Sequence, residues 1–326
     1  MLDIAVIGAG RIGRIHARNV ADHFGARLAG ISDTHSPSAE ALATATGSRV
    51  LSLDEAMAAD AVIIGSPTPT HADLIERAAR AGRAIFCEKP IDLDADRVER
   101  CLDVVARAGV ILMVGFNRRF DPSFATLKRR LASGEVGRLE MLTIISRDPA
   151  PPPPNYVAAS GGLFRDMMIH DLDLARFLMA EEPTSVFAAA SCLIDPGIGE
   201  AGDVDTAMVT LTTASGTICQ ISNSRRAAYG YDQRIEAHGA TGLLRAGNQT
   251  ATTIEVATAR GFTTDPALPF FLERYAAAYR AELDAFVDAV ASGIPAEPGG
   301  ADGLAALRLA DAATQSARTG EVVRLT

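Results

Sequence analysis

The sequence predicts a two-domain α/β protein whose N-terminal third forms a doubly wound parallel sheet, and three observations support this. The chain has 326 residues, which exceeds the usual length of one compact domain. Its first third alternates short apolar runs with helical patterns, as βαβ units do. The first apolar run ends in a glycine-rich turn. We expect a nucleotide-binding domain over residues 1–119 and a second domain over residues 120–326.

The glycine-rich turn lies between a predicted strand, residues 2–7, and a predicted helix, residues 11–24. Its G-x-G-x-x-G pattern in this context is typical of Rossmann domains that bind dinucleotides. Gly8 permits the tight turn, Gly10 lets the backbone approach a pyrophosphate, and Gly13 lets helix and strand pack closely. The free N–H groups and positive dipole of the helix would meet the phosphate charge. A glycine-rich turn unrelated to nucleotides is the alternative.

A second predicted strand, residues 27–32, ends at Asp33, about 20 residues after the last glycine of the motif. An acidic residue at this position typically binds the hydroxyls of the adenosine ribose. A carboxylate there repels a 2′-phosphate, and no arginine follows in residues 34–38. The pattern therefore favours NAD over NADP as the cofactor.

Three more strands alternate with helices in the same domain. The strands are predicted over residues 61–65, 84–87 and 110–115, and the helices end near residues 81 and 108. Because ligands bind beyond the carboxyl ends of parallel strands, residues at these ends should face one crevice. These residues are Asp33, Thr68, Lys89 and Asn117.

Lys89 is a candidate for chemistry in this crevice. It precedes Pro90, and a residue before proline adopts an extended or turn conformation. Alternatively, Glu88 and Lys89 form a surface pair at the end of a strand. The spacing alone does not distinguish these two interpretations.

Residues 161–173 carry a second group of candidate catalytic residues. On a helix, Asp166, His170 and Asp173 fall at i, i+4 and i+7, so all three project from one face. Two carboxylates beside an imidazole are unfavourable in a core and useful for proton transfer. Taken by itself, the segment favours a solvated acidic face with an incidental histidine.

Composition argues against several other classes of protein. The net charge of −9 and the scattered basic residues argue against nucleic-acid binding. The four cysteines have neither CxxC spacing nor nearby histidines, so we expect no metal site and no disulfide framework. Cys87, Cys192 and Cys219 should be small buried apolar residues. We expect no signal peptide and no membrane span, and a location in the reducing cytoplasm.

The rest of the chain predicts further strands and two closing helices. A helix over residues 122–133 precedes a strand over 139–145, and the later elements are strands over 185–193, 205–213, 216–224 and 231–237 and helices over 275–291 and 301–319. The mixed composition of the strands suits a sheet with one face on helices and the other in a subunit interface. The prolines between Pro149 and Pro154 form either a spacer or, as we favour, a loop at the mouth of the site.

Five motifs occur in a fixed order and together resemble a known family. They are Gly8-x-Gly10-x-x-Gly13, Pro67-Thr68-Pro69-Thr70-His71, Glu88-Lys89-Pro90, Gly115-Phe116-Asn117-Arg118-Arg119-Phe120 and Asp166-x-x-x-His170-Asp171-x-Asp173. The family is that of glucose–fructose oxidoreductase, inositol dehydrogenase and the rhizopine catabolism protein (Gfo/Idh/MocA). The resemblance covers essentially the whole chain and is greatest to the myo-inositol 2-dehydrogenase branch.

This resemblance implies a Rossmann domain followed by an α/β domain with a large, mostly antiparallel open sheet that commonly forms dimers and tetramers. It implies NAD-dependent oxidation of a secondary hydroxyl of a cyclic polyol, with myo-inositol as the expected substrate. Lys89 would hydrogen-bond the reacting hydroxyl, and Asp166 and His170 would form the catalytic pair with His170 as general base. The remaining substrate contacts would come from Asp173, Arg118 and Tyr229 or Tyr231.

The expected binding partners follow from the same motifs. We expect a small polyol or sugar as substrate, a homo-oligomer, and no nucleic acid, membrane or metal. The expected NAD-binding residues are Gly8, Gly10, Arg11, Ile12, Gly13, Asp33, Ser66, Thr68, His71, Glu88, Lys89 and Asn117.

One departure from the family pattern leaves the exact substrate open. The inositol branch commonly has a His and an Asn after the first strand of the second domain, whereas this chain has Ser146-Arg147-Asp148. Alternatives of the same family are an NAD(P)-dependent sugar or deoxy-sugar dehydrogenase and a glycosidase-type member that retains NAD. A catalytically silent sugar sensor is another alternative, but such sensors tend to lose the Lys or the His that this chain keeps.

Overall fold

The computed structural model describes residues 1–325, apart from the side chains of residues 154, 155 and 158. The chain divides into two compact units, which we call the N-terminal and C-terminal units. The N-terminal unit comprises Met1–Phe120 and Ala278–Leu307, and the C-terminal unit comprises Asp121–Ala277 and Arg308–Thr326.

The N-terminal unit is built on a five-stranded parallel sheet, as the sequence predicts. The sheet order is β2-β1-β3-β4-β5, with strands β1 (Leu2–Ile7), β2 (Ala26–Ser32), β3 (Ala61–Ile64), β4 (Ala84–Glu88) and β5 (Leu112–Gly115). Its helices are α1 (Arg11–Ala21), α2 (Ser36–Thr46), α3 (Leu53–Ala56), α4 (His71–Arg80) and α5 (Ala95–Ala108). This strand order, 2-1-3-4-5, is one of the two common doubly wound orders, and its topological switch point lies between β1 and β3.

Local sequence signals set the ends of these helices. The Asp94 carboxylate accepts hydrogen bonds from the N–H groups of Asp96 and Arg97 and so starts α5. Gly109, with a φ of 66°, ends the same helix in the left-handed conformation. The predicted end of this helix near residue 108 is therefore confirmed.

A late segment of the chain also belongs to the N-terminal unit, in contrast to the predicted division at residue 119. Helix α11 (Ala276–Ser292) places Leu283, Phe286 and Val287 in the same apolar core as Ile4 of β1. The physical reason is burial of apolar surface, which does not depend on distance along the chain.

The C-terminal unit contains a seven-stranded, mostly antiparallel sheet, as the resemblance implies. The order is β11-β10-β6-β9-β8-β7-β14, with β6 (Leu139–Arg147), β7 (Pro183–Ser191), β8 (Thr206–Thr213), β9 (Ile218–Ser224), β10 (Asp232–Gly239), β11 (Gly242–Ala246) and β14 (Val323–Arg324). Only β6 and β9 pair in parallel. Strands β12 (Glu255–Thr258) and β13 (Gly261–Thr264) form a separate hairpin.

Helices complete the C-terminal unit. They are α6 (Pro122–Ala132), α7 (Pro154–Ser160), α8 (Ile169–Met179), α9 (Pro196–Glu200) and α10 (Phe271–Arg274), and α12 (Gly300–Thr319) begins in the other unit. Helix α8 contacts β6, whose Leu142 and Ile144 are buried. The alternation of buried and half-buried residues along β6, together with its contact with α8, indicates that helices cover one face of the sheet.

The prediction of one helix over residues 161–173 is wrong in its first half. Gly161 and Gly162 have φ values of 87° and 81°, which L-residues rarely adopt and a continuing helix cannot contain. A π-helical turn, Leu163–Met167, follows, and α8 begins at Ile169. The chain bends at Pro149 and Ala150, Pro153 is extended, and α7 begins at Pro154.

The cysteines differ from expectation at one position. Cys87, Cys101 and Cys219 are buried, but Cys192 is half-buried because it lies just beyond the end of β7. All four are free thiols. Burial raises the pKa of the Cys101 thiol to about 12. Within residues 1–325, no helix is long and apolar enough to span a membrane.

Candidate active site

The glycine-rich turn packs directly against the end of β3. Gly8 has a φ of 105°, and a Cβ atom there would lie 2.6 Å from the backbone of Gly65 and Ser66. A Cβ atom at Gly13 would lie 1.9 Å from the carbonyl oxygen of Gly8. Neither position can hold a side chain, so the close approach of turn, helix and strand requires glycine.

The space in front of α1 is open. A Cβ atom at Gly10 would meet no heavy atom within 4 Å, and Arg11 and Ile12 form the first turn of the helix directly behind it. The first N–H groups of a helix have no partner within the helix and attract anions. The turn therefore fits the pyrophosphate of a dinucleotide at the place where the sequence predicts it.

Asp33 is bound to the glycine-rich turn. Its Oδ2 accepts a hydrogen bond from the N–H group of Ala9 at 2.6 Å, and its Oδ1 accepts one from the N–H group of His35 at 2.7 Å. The carboxylate at the end of β2 is thereby held beside the turn that follows β1. This is the geometry expected of an acid that binds the adenosine ribose.

His71 links the loops that follow β3 and β4. The ring is buried, with Nε2 2.7 Å from the Ser66 carbonyl oxygen and Nδ1 2.8 Å from the Pro90 carbonyl oxygen. Thr68 lies in the 3₁₀ turn between Ser66 and His71. The imidazole holds together the two loops that carry Ser66 and the half-buried Lys89.

Glu88 belongs to a buried cluster of ionisable groups behind Lys89. Nε2 of His16, on α1, lies 2.8 Å from the Glu88 carboxylate, and Glu282 of α11 completes the cluster. One ligand atom from each of the three residues lies within 4.8 Å of the others. The His16–Glu88 contact links the helix that starts at the glycine-rich turn to the strand that ends at Lys89.

Glu282 is the unusual member of this cluster. It is fully buried, and neither carboxylate oxygen has a hydrogen-bond partner among the residues that the structure describes. Burial raises the pKa of Glu282 well above its ordinary value, and the neighbouring charge of Glu88 raises it further. The protonated form of Glu282 is therefore favoured in the folded chain.

In the C-terminal unit, Asp166 and His170 lie on consecutive elements. Asp166 is in the π-helical turn, and His170 is in the first turn of α8 and half-buried. The Tyr156 hydroxyl donates to Asp166 Oδ1 at 3.0 Å, and Arg225 Nη2 lies 3.7 Å from Asp166 Oδ2. Each oxygen of this carboxylate thus has a neighbour of its own.

The acids of α8 are not solvated. Asp171 and Asp173 are 0% and 1% exposed, so the expectation of a solvated acidic face is wrong for Asp173. Asn223 of β9 donates to Asp171 Oδ2 at 2.9 Å, and Arg176 Nη1 lies 3.8 Å from Asp173 Oδ1. The sheet and the helix itself supply the polar partners that buried carboxylates require.

The remaining expected site residues lie in two places. Asn117 and Arg118 are buried in a 3₁₀ turn, Asn117–Phe120, directly after β5. Tyr229 is exposed, its hydroxyl donates to Asp232 Oδ2 at 2.7 Å, and it accepts a hydrogen bond from Arg147 at 3.0 Å. Arg147 belongs to the segment that departs from the family pattern.

Four side chains that lie next to Glu88 or Asp166 were not predicted from the sequence. His16, Glu282 and Arg225 come from distant segments of the chain, and Tyr156 lies 10 residues before Asp166. His16 and Glu282 are polar residues on the buried faces of helices, which is the one signal that points to them. No local pattern distinguishes Tyr156 or Arg225.

Comparison with known proteins identifies the family. Residues 2–116 match the oxidoreductase family with an NAD-binding Rossmann fold, and residues 124–245 match the GFO/IDH/MocA C-terminal domain. The chain belongs to the Gfo/Idh/MocA family. This confirms the predicted family, the oxidoreductase class and NAD as the cofactor.

Several Gfo/Idh/MocA relatives resemble the chain over its full length. An inositol 2-dehydrogenase of Rhizobium meliloti (strain 1021) is 55% identical over 314 residues, which cover 95% of each chain. The crystal structure of a myo-inositol dehydrogenase from Corynebacterium glutamicum ATCC 13032 is 46% identical, with a TM-score of 0.96 and coverage of 100% and 99%. A scyllo-inositol dehydrogenase from Lactobacillus casei, solved with NAD(H) and scyllo-inositol, is 29% identical, with a TM-score of 0.91 and coverage of 99% of each chain.

The role of Asp33 in this Gfo/Idh/MocA member can be tested by Asp33→Asn, which removes the charge and keeps one acceptor oxygen. We expect the ratio of kcat/KM for NAD to that for NADP to fall by roughly tenfold or more, because like charges in contact are strongly unfavourable. Steady-state kinetics with both nucleotides measures this ratio. Asp54→Asn, at an exposed carboxylate of α3, serves as control, and an unchanged ratio for Asp33→Asn would refute the assignment.

The state of Glu282 predicts a pH-dependent stability. Because its pKa is raised in the folded chain, its contribution is complete below the unfolded carboxyl pKa of about 4.3 and is lost as the pH rises towards the folded value. Glu282→Gln should therefore leave the unfolding free energy unchanged near pH 4 and raise it at pH 8, on the order of 1–3 kcal/mol. Denaturant unfolding at both pH values measures this. Asp288→Asn, exposed on the same helix, is the control, and equal gains at both pH values would contradict the prediction.

Proposed function

We propose that the protein is an NAD-dependent inositol 2-dehydrogenase that oxidises a secondary hydroxyl of myo-inositol. The observation that carries this proposal is 55% identity to a named inositol 2-dehydrogenase over 95% of the chain. The placement of Asp166 and His170 on consecutive elements supports it. The open space at Gly10, in front of α1, supports the cofactor.

His170 is the proposed general base. A neutral imidazole is the side chain best suited to accept a hydroxyl proton near physiological pH. When bound, NAD would supply the acceptor for the carbinol hydride. Asp166, held through Tyr156 at one oxygen and close to Arg225 at the other, would stabilise the imidazolium that forms at His170.

Lys89 is proposed to stabilise the negative charge that develops on the reacting oxygen. Its backbone is held on both sides, since the Glu88 carboxylate contacts His16 and the Pro90 carbonyl contacts His71. A fixed ammonium group requires no reorganisation during the reaction. Asp173, Arg118 and Tyr229 are proposed to bind the other hydroxyls of the substrate.

An aldose or deoxy-sugar dehydrogenase with the same catalytic residues is the second candidate. It is favoured by residues 146–148, which depart from the inositol pattern. Ser146 is buried and accepts a hydrogen bond from Gln233 at 2.8 Å, while Arg147 donates to Tyr229. A guanidinium in this position would suit a sugar that differs from inositol in shape or charge.

A panel of myo-inositol, scyllo-inositol and common aldoses with NAD and NADP, followed at the NADH absorbance band, tests the proposal. We expect the highest kcat/KM with myo-inositol and NAD. His170→Ala and Lys89→Ala should each lower kcat by about 10²-fold or more, because a general base or charge stabiliser is lost. Arg107→Ala, at an exposed position of α5, is the control. Near-normal turnover in both catalytic variants, or a strong preference for NADP, would overturn the proposal.

We further propose that the chain forms a dimer or tetramer through the outer face of its C-terminal sheet, and that it is located in the cytoplasm. Five large apolar side chains on this face are 41–51% exposed: Met141, Phe187, Met208, Ile218 and Leu243. The strand register places them on one side, since Met141 pairs with Ile218 and both Met141 and Leu243 lie opposite His238. A contiguous apolar face of this kind typically marks an interface.

Light scattering coupled to size-exclusion chromatography tests the oligomer. Wild-type protein at micromolar concentration should have a multiple of the 34.2 kDa chain mass, and Met208→Asp should lower it. The reason is that a carboxylate on this face would be buried without a partner in the interface. Phe24→Asp, at an apolar residue that is 99% exposed on the N-terminal unit, is the control. A monomeric wild-type protein would contradict the proposal.

A further inference from the structure

We propose that Arg225 is a positioning residue that holds the Asp166 carboxylate in place and, as a buried cation beside it, keeps His170 a neutral base. The proposal rests on the proposed function, since it concerns the same catalytic pair. Arg225 follows β9 directly and carries no role in the motifs of the sequence.

The first observation is the place of the guanidinium between two carboxylates. Arg225 is 1% exposed, and its Nη2 lies 3.7 Å from Asp166 Oδ2 and 3.9 Å from Asp203 Oδ2. These distances exceed those of hydrogen bonds but allow strong charge–charge attraction at a buried site. The two carboxylates therefore share one buried cation, and Asp166 is the one that the proposed reaction uses.

The second observation is that the guanidinium is incompletely satisfied. Within the described part of the chain, its Nε and Nη2 atoms have no hydrogen-bond partner. A buried charge with unpaired donors is destabilising, so packing alone does not account for an arginine here. Catalytic hydrogen bonds are often long in the free enzyme and shorten when the substrate is bound. We expect the Arg225–Asp166 contact to shorten in this way.

The third observation is that backbone hydrogen bonds anchor the segments that carry Arg225 and Asp166. The Arg225 N–H group donates to the Asp205 carbonyl at 2.9 Å. Both oxygens of Asp203 accept from the N–H group of Leu163, the first residue of the π-helical turn, at 3.0 Å. A Cβ atom at Gly162 would lie 2.5 Å from the Asp203 carboxylate, so this contact requires glycine. Asp203 thus anchors the turn that carries Asp166.

The charges around Asp166 determine whether loss of Arg225 makes protonation of His170 easier or harder. Several elements contribute ionisable groups to the surroundings of Asp166: α7, the π-helical turn, α8, the loop before β8 and the residue after β9. In chain order, these groups are Tyr156, Arg165, His170, Asp171, Asp203, Asp205 and Arg225. A cation at Arg225 opposes a second positive charge on His170. Loss of this cation should therefore let His170 take up a proton at a higher pH.

The first test is the pH dependence of kcat, measured with the substrate that the wild-type enzyme oxidises fastest. Arg225→Met should lower kcat roughly tenfold or more at neutral pH and move the acidic limb of the profile upwards by about one pH unit. Arg225→Lys keeps the charge and should return the limb towards its wild-type position. The KM for NAD should not change. Arg226→Met, at the exposed neighbouring arginine, is the matched control.

A second test needs no substrate. The ring Cε1–H signal of His170, assigned by its absence in His170→Gln, is titrated by NMR in wild-type protein and in Arg225→Met. We expect the midpoint to rise in the variant, and equal midpoints together with superimposed kcat profiles would overturn the proposal. If Arg225→Met shows no cooperative thermal transition, Arg225→Gln replaces it with the same expected shift. A wild-type enzyme that oxidises no polyol or sugar would refute the proposed function, while the NMR titration still decides the role of Arg225.

Discussion

The structure of the nucleotide half depends on one steric constraint, the contact between Gly13 and the carbonyl of Gly8. There is no room for a Cβ atom between them, so α1 starts as close to β1 as two backbones permit. The same turn donates from the Gly8 N–H group to Ser32 and from the Ala9 N–H group to Asp33. The approach of the helix thereby brings the ends of β1 and β2 together and leaves the space in front of α1 open. The predicted phosphate site and the acid beside it both depend on this one contact.

Polar side chains then connect this turn to the loops that follow it. His16 extends from α1 to Glu88, and His71 joins the loops after β3 and β4, so the residues on either side of Lys89 are held by imidazoles. In a dry interior such contacts are strong when satisfied and unfavourable when left incomplete. Glu282 shows the unfavourable case, since it is buried beside Glu88 without a hydrogen-bond partner in the described chain. Burial raises its pKa, and the proton that it keeps removes most of the electrostatic penalty.

In the C-terminal unit, in contrast to Glu282, the buried and half-buried acids have polar partners. Asp171, Asp203 and Asp166 face an amide, a backbone N–H group and a tyrosine hydroxyl, respectively, and Arg225 supplies positive charge to the last two. A helix interrupted by two glycines and a π-helical turn makes this possible, because it directs Asp166 towards its partners independently of α8. The interruption involves only a few residues of the backbone. Its effect on Asp166 depends on the side chains around it, Tyr156 and Arg225.

Periodicity and motifs within short segments were enough to predict the parallel sheet, the glycine-rich turn, the position of Asp33 at the end of β2 and the family. They did not predict that α11 packs with the first unit, that Asp173 is buried, or that two non-helical glycines and a π-helical turn precede α8. The partners of Glu88 and Asp166 are visible only in the folded chain. His16, Glu282 and Arg225 are far from these acids along the chain, and burial and charge act through space, whereas a sequence pattern records only neighbours along the backbone.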